Sequence, residues 1–204
     1  MSSDTGDQVV ALVMAAGYSR RFGADDKRLA PLADGHSLLT ASVAKARQAF
    51  NQLRVVIRED DDPSLLGLAD DVALIRVRHA HLGLGASIAE AVAILSRDPT
   101  LSNTHAVAIL LGDMPWIKPE GLIALQQLAT RDTIVRPCHA GKLGHPVIFG
   151  RMLWPDLEAL TGASGAREVI RHHAARYHQY DLQDVGLFGD VDTPADLLKN
   201  CVPP

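Results

Sequence analysis

Aromatic residues are scarce in this sequence: Phe, Trp and Tyr make up 4% of 204 positions, too few for the stacked platforms on which proteins hold single-stranded nucleic acid. Positive charge is not in excess either. Lys plus Arg number 20 against 24 Asp plus Glu, a net charge of −4, so the basic balance of a duplex-binding protein is missing. Cysteine occurs twice, at Cys138 and Cys201, with neither paired nor metal-like spacing. That argues against a disulfide framework and makes a reducing cytoplasm the expected compartment. No apolar run approaches the roughly 20 residues that cross a bilayer. Met1 to Gln8 also lacks the basic-then-apolar order of a signal peptide. The expectation is a soluble intracellular protein with no nucleic-acid or membrane partner.

What is present is an average share of apolar residues, 47%, enough for a sizeable core in one domain spanning 1–204. Its period changes repeatedly along the chain. Val9 to Met14 is nearly all apolar and reads as a strand buried on both faces. Ser37 to Phe50 has helical spacing, followed by a strand at 53–57, a weak helix at 63–68 and a strand at 73–77. A helix at 87–95, a second central strand at 105–111, a helix at 121–130 and a strand at 133–136 continue the alternation. This order predicts an α/β fold with a mostly parallel sheet and helices on both faces. A Gly-rich, hairpin-like excursion from His139 to Phe149 interrupts it. Sites in such sheets lie at the carboxyl ends of the strands, so 15–27 and 112–115 are expected to share one rim.

Three segments bear chemistry. The first, Ala15-Ala16-Gly17-Tyr18-Ser19-Arg20-Arg21-Phe22-Gly23-Ala24-Asp25-Asp26-Lys27, leaves a buried strand and combines two glycines with Ser19, two arginines and a lysine. Gly17 and Gly23 permit positive φ and close backbone approach, so N–H groups can converge on an anion. Arginine and lysine add the charge a polyphosphate needs. Neither the Walker A pattern nor G-x-G-x-x-G is present, and alone the loop is also readable as a solvated surface turn. The second, Gly112-Asp113-Met114-Pro115, places a carboxylate just past a buried strand, where it can cap a turn or hold Mg²⁺ together with phosphates. In the third, Thr193 and Pro194 start a helix. Asp190 and Asp192, two apart on extended chain, project to one side and either complete a metal site or stand solvated. His79 and His81 read as loop histidines, and Cys138 as a buried structural thiol.

Together the segments resemble the molybdenum-cofactor nucleotidyltransferases, within the larger group of Rossmann-like sugar-nucleotide pyrophosphorylases. That family's L-A-A-G-x-S-x-R-x-G-x-x-x-K is matched by Met14-Ala15-Ala16-Gly17, Ser19, Arg21, Gly23 and Lys27. Its G-D-M-P is matched by 112–115, and its D-I-D-T-P-E-D-L by 190–197. Further matches are Gly83-Leu84-Gly85-Ala86-Ser87, the segment Gly144-His145-Pro146, and the loop leading to Arg167, all in the family's order.

The resemblance implies a Rossmann-like three-layer nucleotidyltransferase fold. It also implies transfer of a nucleoside monophosphate from an NTP onto the terminal phosphate of molybdopterin-bound molybdenum, with release of pyrophosphate. Residues 8–137 would bind the nucleotide and 138–204 the acceptor. Arg21 and Lys27, with Asp113, would be catalytic. Ala15, Ala16, Gly17, Ser19, Gly83, Gly85, Ala86 and Ser87 would line the nucleotide site with them. Asp113 with Asp192 or Asp190 would hold Mg²⁺, and His145 and Arg167 would face the acceptor. The alanine before Gly17 resembles cytidylyl-transferring members, implying CTP. A GTP-using member, a sugar- or polyol-phosphate transferase, and a cofactor-delivery chaperone for a recipient molybdoenzyme are the alternatives.

Overall fold

Six consecutive buried residues, Val9–Met14, form β1, and the molecule is arranged around them. The structure, a computed structural model, describes residues 8–19, Phe22, 25–162, 164–191 and 193–199. After β1 come α1 (Leu38–Ala49), β2 (Gln52–Arg58), β3 (Leu74–Val77) and α2 (Leu84–Ser96). Then follow β4 (Ala106–Leu111), α3 (Pro119–Leu128), β5 (Ile134–His139), β6 (Lys142–Leu143) and β7 (Val147–Gly150). The chain ends on α4 (Trp154–Glu158), α5 (Arg167–His172), β8 (Tyr177–Asp181) and α6 (Pro194–Lys199).

All strands join one eight-stranded sheet in the order β3-β2-β1-β4-β7-β5-β6, with β8 beside β5. The pairs β1–β2, β2–β3, β1–β4 and β5–β8 are parallel. Only β7 and the β5–β6 hairpin introduce antiparallel pairing. Ala140 and Gly141 turn that hairpin, both at positive φ, as a two-residue loop between twisted strands requires.

Alternate residues of β1 feed two separate apolar layers. Val9, Ala11 and Val13 pack with Leu39 and Val43 of α1 and with Leu122 and Leu125 of α3. Val10, Leu12 and Met14 pack with Ile88, Val92 and Leu95 of α2 and with Trp154 and Leu157 of α4. That is why the strand reads as an unbroken apolar run: each side chain meets a helix layer, and each fully buried Val or Leu contributes about 1.5–3 kcal/mol. The expected three-layer α/β architecture is therefore present. Among the described residues no helix is long and apolar enough to cross a membrane.

Several local expectations are corrected. No helix forms at 63–68; Leu66, Gly67 and Leu68 donate to Asp62, Ser64 and Pro63 in irregular turns, because Gly67 takes φ +69° and leaves helical backbone. Helix α2 begins at Leu84 rather than Ser87, since Gly83, at φ +118° and ψ −177°, ends one turn and starts the helix in a backbone conformation that side chains avoid. Strand β8 was not anticipated at all: Tyr177-His178-Gln179-Tyr180-Asp181 has no buried residue and so no apolar alternation to detect. Cys138 is half-buried, not buried.

Candidate active site

The carboxyl ends of β1 and β4 open side by side, because the two strands pair in register from Val9↔Ala106 to Met14↔Leu111 and Gly112 N–H donates to the Met14 carbonyl at 3.0 Å. Beyond them lies a cavity of about 470 Å³ lined by 14–19, Lys27, Arg28, Leu38, 80–84, Ser87 and 111–113. The two rims expected to adjoin do so. Lys27 Nζ stands 2.5 Å from Asp113 Oδ2 across the mouth of the cavity, their side chains 9% and 20% exposed.

The first loop holds its shape by its own residues. Ala15 and Ala16 enter opposite apolar layers while both line the cavity. The left-handed residue is Ser19, at φ +47°, not Gly17, whose φ is ordinary; a non-glycine residue there stores local strain, as binding loops often do. Gly17 serves differently: a Cβ built on it meets nothing within 4 Å, so the backbone faces open space that a ligand can enter. Phe22 accepts no such freedom. It donates its N–H to the Ser19 carbonyl at 2.8 Å and packs with Ala30, Leu38 and Val191, which ties Ser19 to the start of α1 and to Val191. Arg20, Arg21, Gly23 and Asp192 lie outside the described residues.

On the opposite side, Gly83, Leu84 and Ser87 line the cavity, whereas Gly85 and Ala86 lie behind that lining. Gly85 donates to the Gly162 carbonyl at 2.9 Å, and a Cβ on it would stand 2.8 Å from that oxygen. The start of α2 is thus fixed against the loop that leads into α5. His81 also lines the cavity. Its ring leans on His79, 6.2 Å between centroids, and His79 is in turn held by Glu90 at 2.7 Å.

Asp190 comes close to Asp113 through the backbone, since Val191 N–H donates to the Asp113 carbonyl at 3.2 Å. Among the described residues no three metal-ligating side chains gather. An ion here would be held by one or two carboxylates, its shell completed by phosphate and water, and that is the donor set Mg²⁺ accepts. His145 and Arg167 stand apart from the cavity lining but near each other, with Arg136 and Asp190. Burial, together with the positive Arg136, pushes the His145 imidazole down to about 4, so it is neutral at pH 7, and its Nδ1 is buried without a protein partner.

A four-residue ion network under the first loop had no sequence signal. Arg28 donates to Ala15 O at 3.0 Å, to Asp26 at 2.6 and 2.9 Å and to Asp61 at 2.5 and 2.8 Å. Arg58 donates to Asp61 at 2.8 and 3.1 Å and lies 4.9 Å over the Tyr18 ring. Despite partial burial, the Arg28 and Arg58 guanidinium groups hold the Asp61 carboxyl near 2; burial works against the charge on Arg28 too, but the Asp61 and Asp26 carboxylates outweigh it and hold the guanidinium more firmly charged than usual.

The sequence profile of the MobA-like NTP transferase domain matches residues 11–178. Among solved structures, the chain is similar to a homologue, from Mycobacterium sp. strain JC1, of Mycobacterium tuberculosis Rv0371c, at 31% identity over 96% of each chain and TM-score 0.80. It is similar to Rv0371c from M. tuberculosis H37Rv itself at 28% identity, TM-score 0.76, over 94% of this chain and 96% of that one. Rv0371c has also been crystallised with manganese. A 4-diphosphocytidyl-2C-methyl-D-erythritol synthase from Anaerococcus prevotii shares the fold, at 13% identity, TM-score 0.72 and 97% coverage of both chains. No curated protein sequence matches the chain.

Proposed function

The chain belongs to the MobA-like NTP transferase family, and from that premise we propose that it transfers CMP from CTP to the terminal phosphate of molybdopterin in its molybdenum-bound form, with release of pyrophosphate. The observation that carries the proposal is the meeting of Lys27 and Asp113, 86 residues apart in the chain, at the mouth of a cavity bounded by a glycine-containing loop and the start of a helix. Bringing two anions together and stabilising a leaving pyrophosphate is a matter of position and charge. The acceptor is itself a phosphate oxyanion and needs no general base.

In this reading Lys27 and Arg21 neutralise the triphosphate, and the backbone at Gly17 and Ser19 lies along it. The base lies toward Ala16, Gly83, Leu84 and Ser87, with Gly85 and Ala86 setting the helix start behind them. Residues 138–204 bind the acceptor, His145 and Arg167 among them. Asp113 with Asp190 or Asp192 would hold Mg²⁺, which when bound supplies charge neutralisation at the phosphates. Asp113→Asn is expected to abolish Mg²⁺-dependent turnover while leaving the fold intact. A metal titration superimposable on the wild type's would refute the assignment.

Nucleotide choice gives a second check. Ala16 lines the cavity, and in this reading its methyl takes volume at the base end that glycine would leave to a two-ring base. Guanine's edge would also leave buried groups unpaired, at about 1–3 kcal/mol each. CTP is expected to outperform GTP in parallel pyrophosphate-release assays with molybdopterin-bound molybdenum. The double change Ala16→Gly with Leu84→Pro, the latter at a first helical position that tolerates proline, is expected to narrow the gap. Equal or better use of GTP by the wild type sinks the assignment. The same assay with sugar and polyol phosphates as acceptors separates this proposal from a relative acting on those substrates, and cofactor binding without pyrophosphate release would favour a delivery chaperone.

A further inference from the structure

We infer that Asp61 and Arg28 are positioning residues of the nucleotide site: acting through the turn that carries Lys27, they set where its ammonium group stands. The inference rests on the reading above, in which Lys27 meets the phosphates.

Arg28 lines the cavity, and a cavity-lining arginine beside a phosphate loop invites assignment as a phosphate ligand. Its hydrogen bonds exclude that role. A guanidinium has five N–H donors. Nε is engaged by Asp26, one Nη by the Ala15 carbonyl and Asp61, and the other Nη by Asp26 and Asp61, so no donor is left for a ligand. Charge is consumed as well, because two carboxylates, Asp26 and Asp61, face the two guanidinium groups of Arg28 and Arg58.

What the network does is join the end of β1, the end of β2 and the turn that carries Lys27. Ala15 follows β1. Arg58 ends β2 and Asp61 follows it, accepting the Arg58 backbone N–H at 2.9 Å. Asp26 and Arg28 flank Lys27 in a single 3-10 turn that Asp26 caps by accepting the Arg28 N–H at 3.0 Å. With both neighbours of Lys27 fastened, its backbone has no independent freedom relative to the end of β1. Asp61, its side chain 7% exposed, is the hub. Through Arg58 it reaches Tyr18, a residue of the first loop. A buried ion network contributes little net stability compared with apolar packing; its use here is geometric, since a charge must be held at a fixed place before a polyanion arrives for it to favour the reaction.

The sign of one measurement separates positioning from simple electrostatics. Removing a negative charge close to a polyanion site tightens binding if only Coulomb forces matter. Positioning predicts the reverse. Calorimetric titration with CTP in Mg²⁺ is expected to show binding about tenfold weaker for Asp61→Asn, and no further loss when Asp61→Asn is added to Lys27→Ala, because coupled residues lose the same interaction once. Asp62→Asn, one position on and outside the network, is expected to bind as the wild type does. Unchanged or tighter CTP binding by folded Asp61→Asn overturns the inference, and so does an undiminished loss in the Lys27→Ala background. Should thermal unfolding show that Asp61→Asn does not fold, Asp26→Asn removes the same sign of charge at the more exposed carboxylate of the network and carries the same comparison, with the same outcomes decisive. If Lys27→Ala itself binds CTP and turns over like the wild type, the functional reading fails instead, which is a different result from additivity.

Discussion

Replacing Lys27 with alanine is expected to raise the barrier to nucleotidyl transfer by roughly 2–4 kcal/mol, about 30- to 1,000-fold in rate, the usual loss when one preorganised electrostatic donor is deleted. The lysine suits that role by its setting. It is 8% exposed as a residue, its ammonium is held at the mouth of the cavity against Asp113, and the turn that bears it is fixed from both sides. An incoming triphosphate presents more negative charge than one carboxylate and meets an ammonium already in place, with little reorganisation left to make. Steady-state kinetics on the folded variant check this. Turnover within threefold of the wild type would reduce Lys27 to a structural partner of Asp113.

The largest effect on stability is expected at Gly186, whose N–H donates to the Asp184 carboxylate at 3.0 Å. A Cβ there would stand 2.1 Å from the Trp116 carbonyl oxygen and 2.4 Å from its carbon, and both are backbone atoms that cannot rotate away. The turn holding Gly186, Val185–Phe188, is wedged on its other side as well, since His145 N–H donates to the Leu187 carbonyl at 2.8 Å. Gly186→Ala is therefore expected to cost about 3 kcal/mol, the upper end for overpacking a dense interior. At roughly 2–4 °C per kcal/mol for a domain of this size, that is a fall of about 6–12 °C in the thermal midpoint. A midpoint within about 2 °C of the wild type's would mean that the 116–117 and 185–188 segments are not packed as described.

How much of this was legible in the sequence follows the physics of each signal. Strand β1 was, because six apolar residues in a row admit few alternatives, and its observed bounds are those the run predicts. The adjacency of Lys27 and Asp113 was legible too: each motif follows a buried strand, and parallel strands bring their carboxyl ends to one edge. Asp61 was not. It sits in the run Glu59-Asp60-Asp61-Asp62, which composition alone reads as a solvated acidic turn; only the fold shows that one of the four turns inward to two arginines. Arg28 was hidden for a related reason, since the charge beside a binding lysine looks like more of the same until its donors are counted. His81 was set aside as a loop histidine because its spacing from His79 suggested chelation or nothing, and periodicity cannot say that a short turn will carry it to a cavity wall. The identity of Gly85 as a contact residue for Gly162 depends on two segments far apart in the chain, which no local pattern reports.

The strand order has a consequence for how the chain comes off the ribosome. Strand β5 pairs with β6, β7 and β8, and β4 reaches it only across β7. A nascent chain that has emerged as far as β5 therefore already holds β1 to β4 but must leave the outer edge of β4 bare, because the next strand in sequence is not the next strand in space. Such an edge is a template for any other extended chain nearby. The interval ends when Val147–Gly150 enters between the two strands and closes the gap, so a chain cut after β5 would leave the outer edge of β4 unpaired. The segment that follows β5 is the piece that seals the sheet.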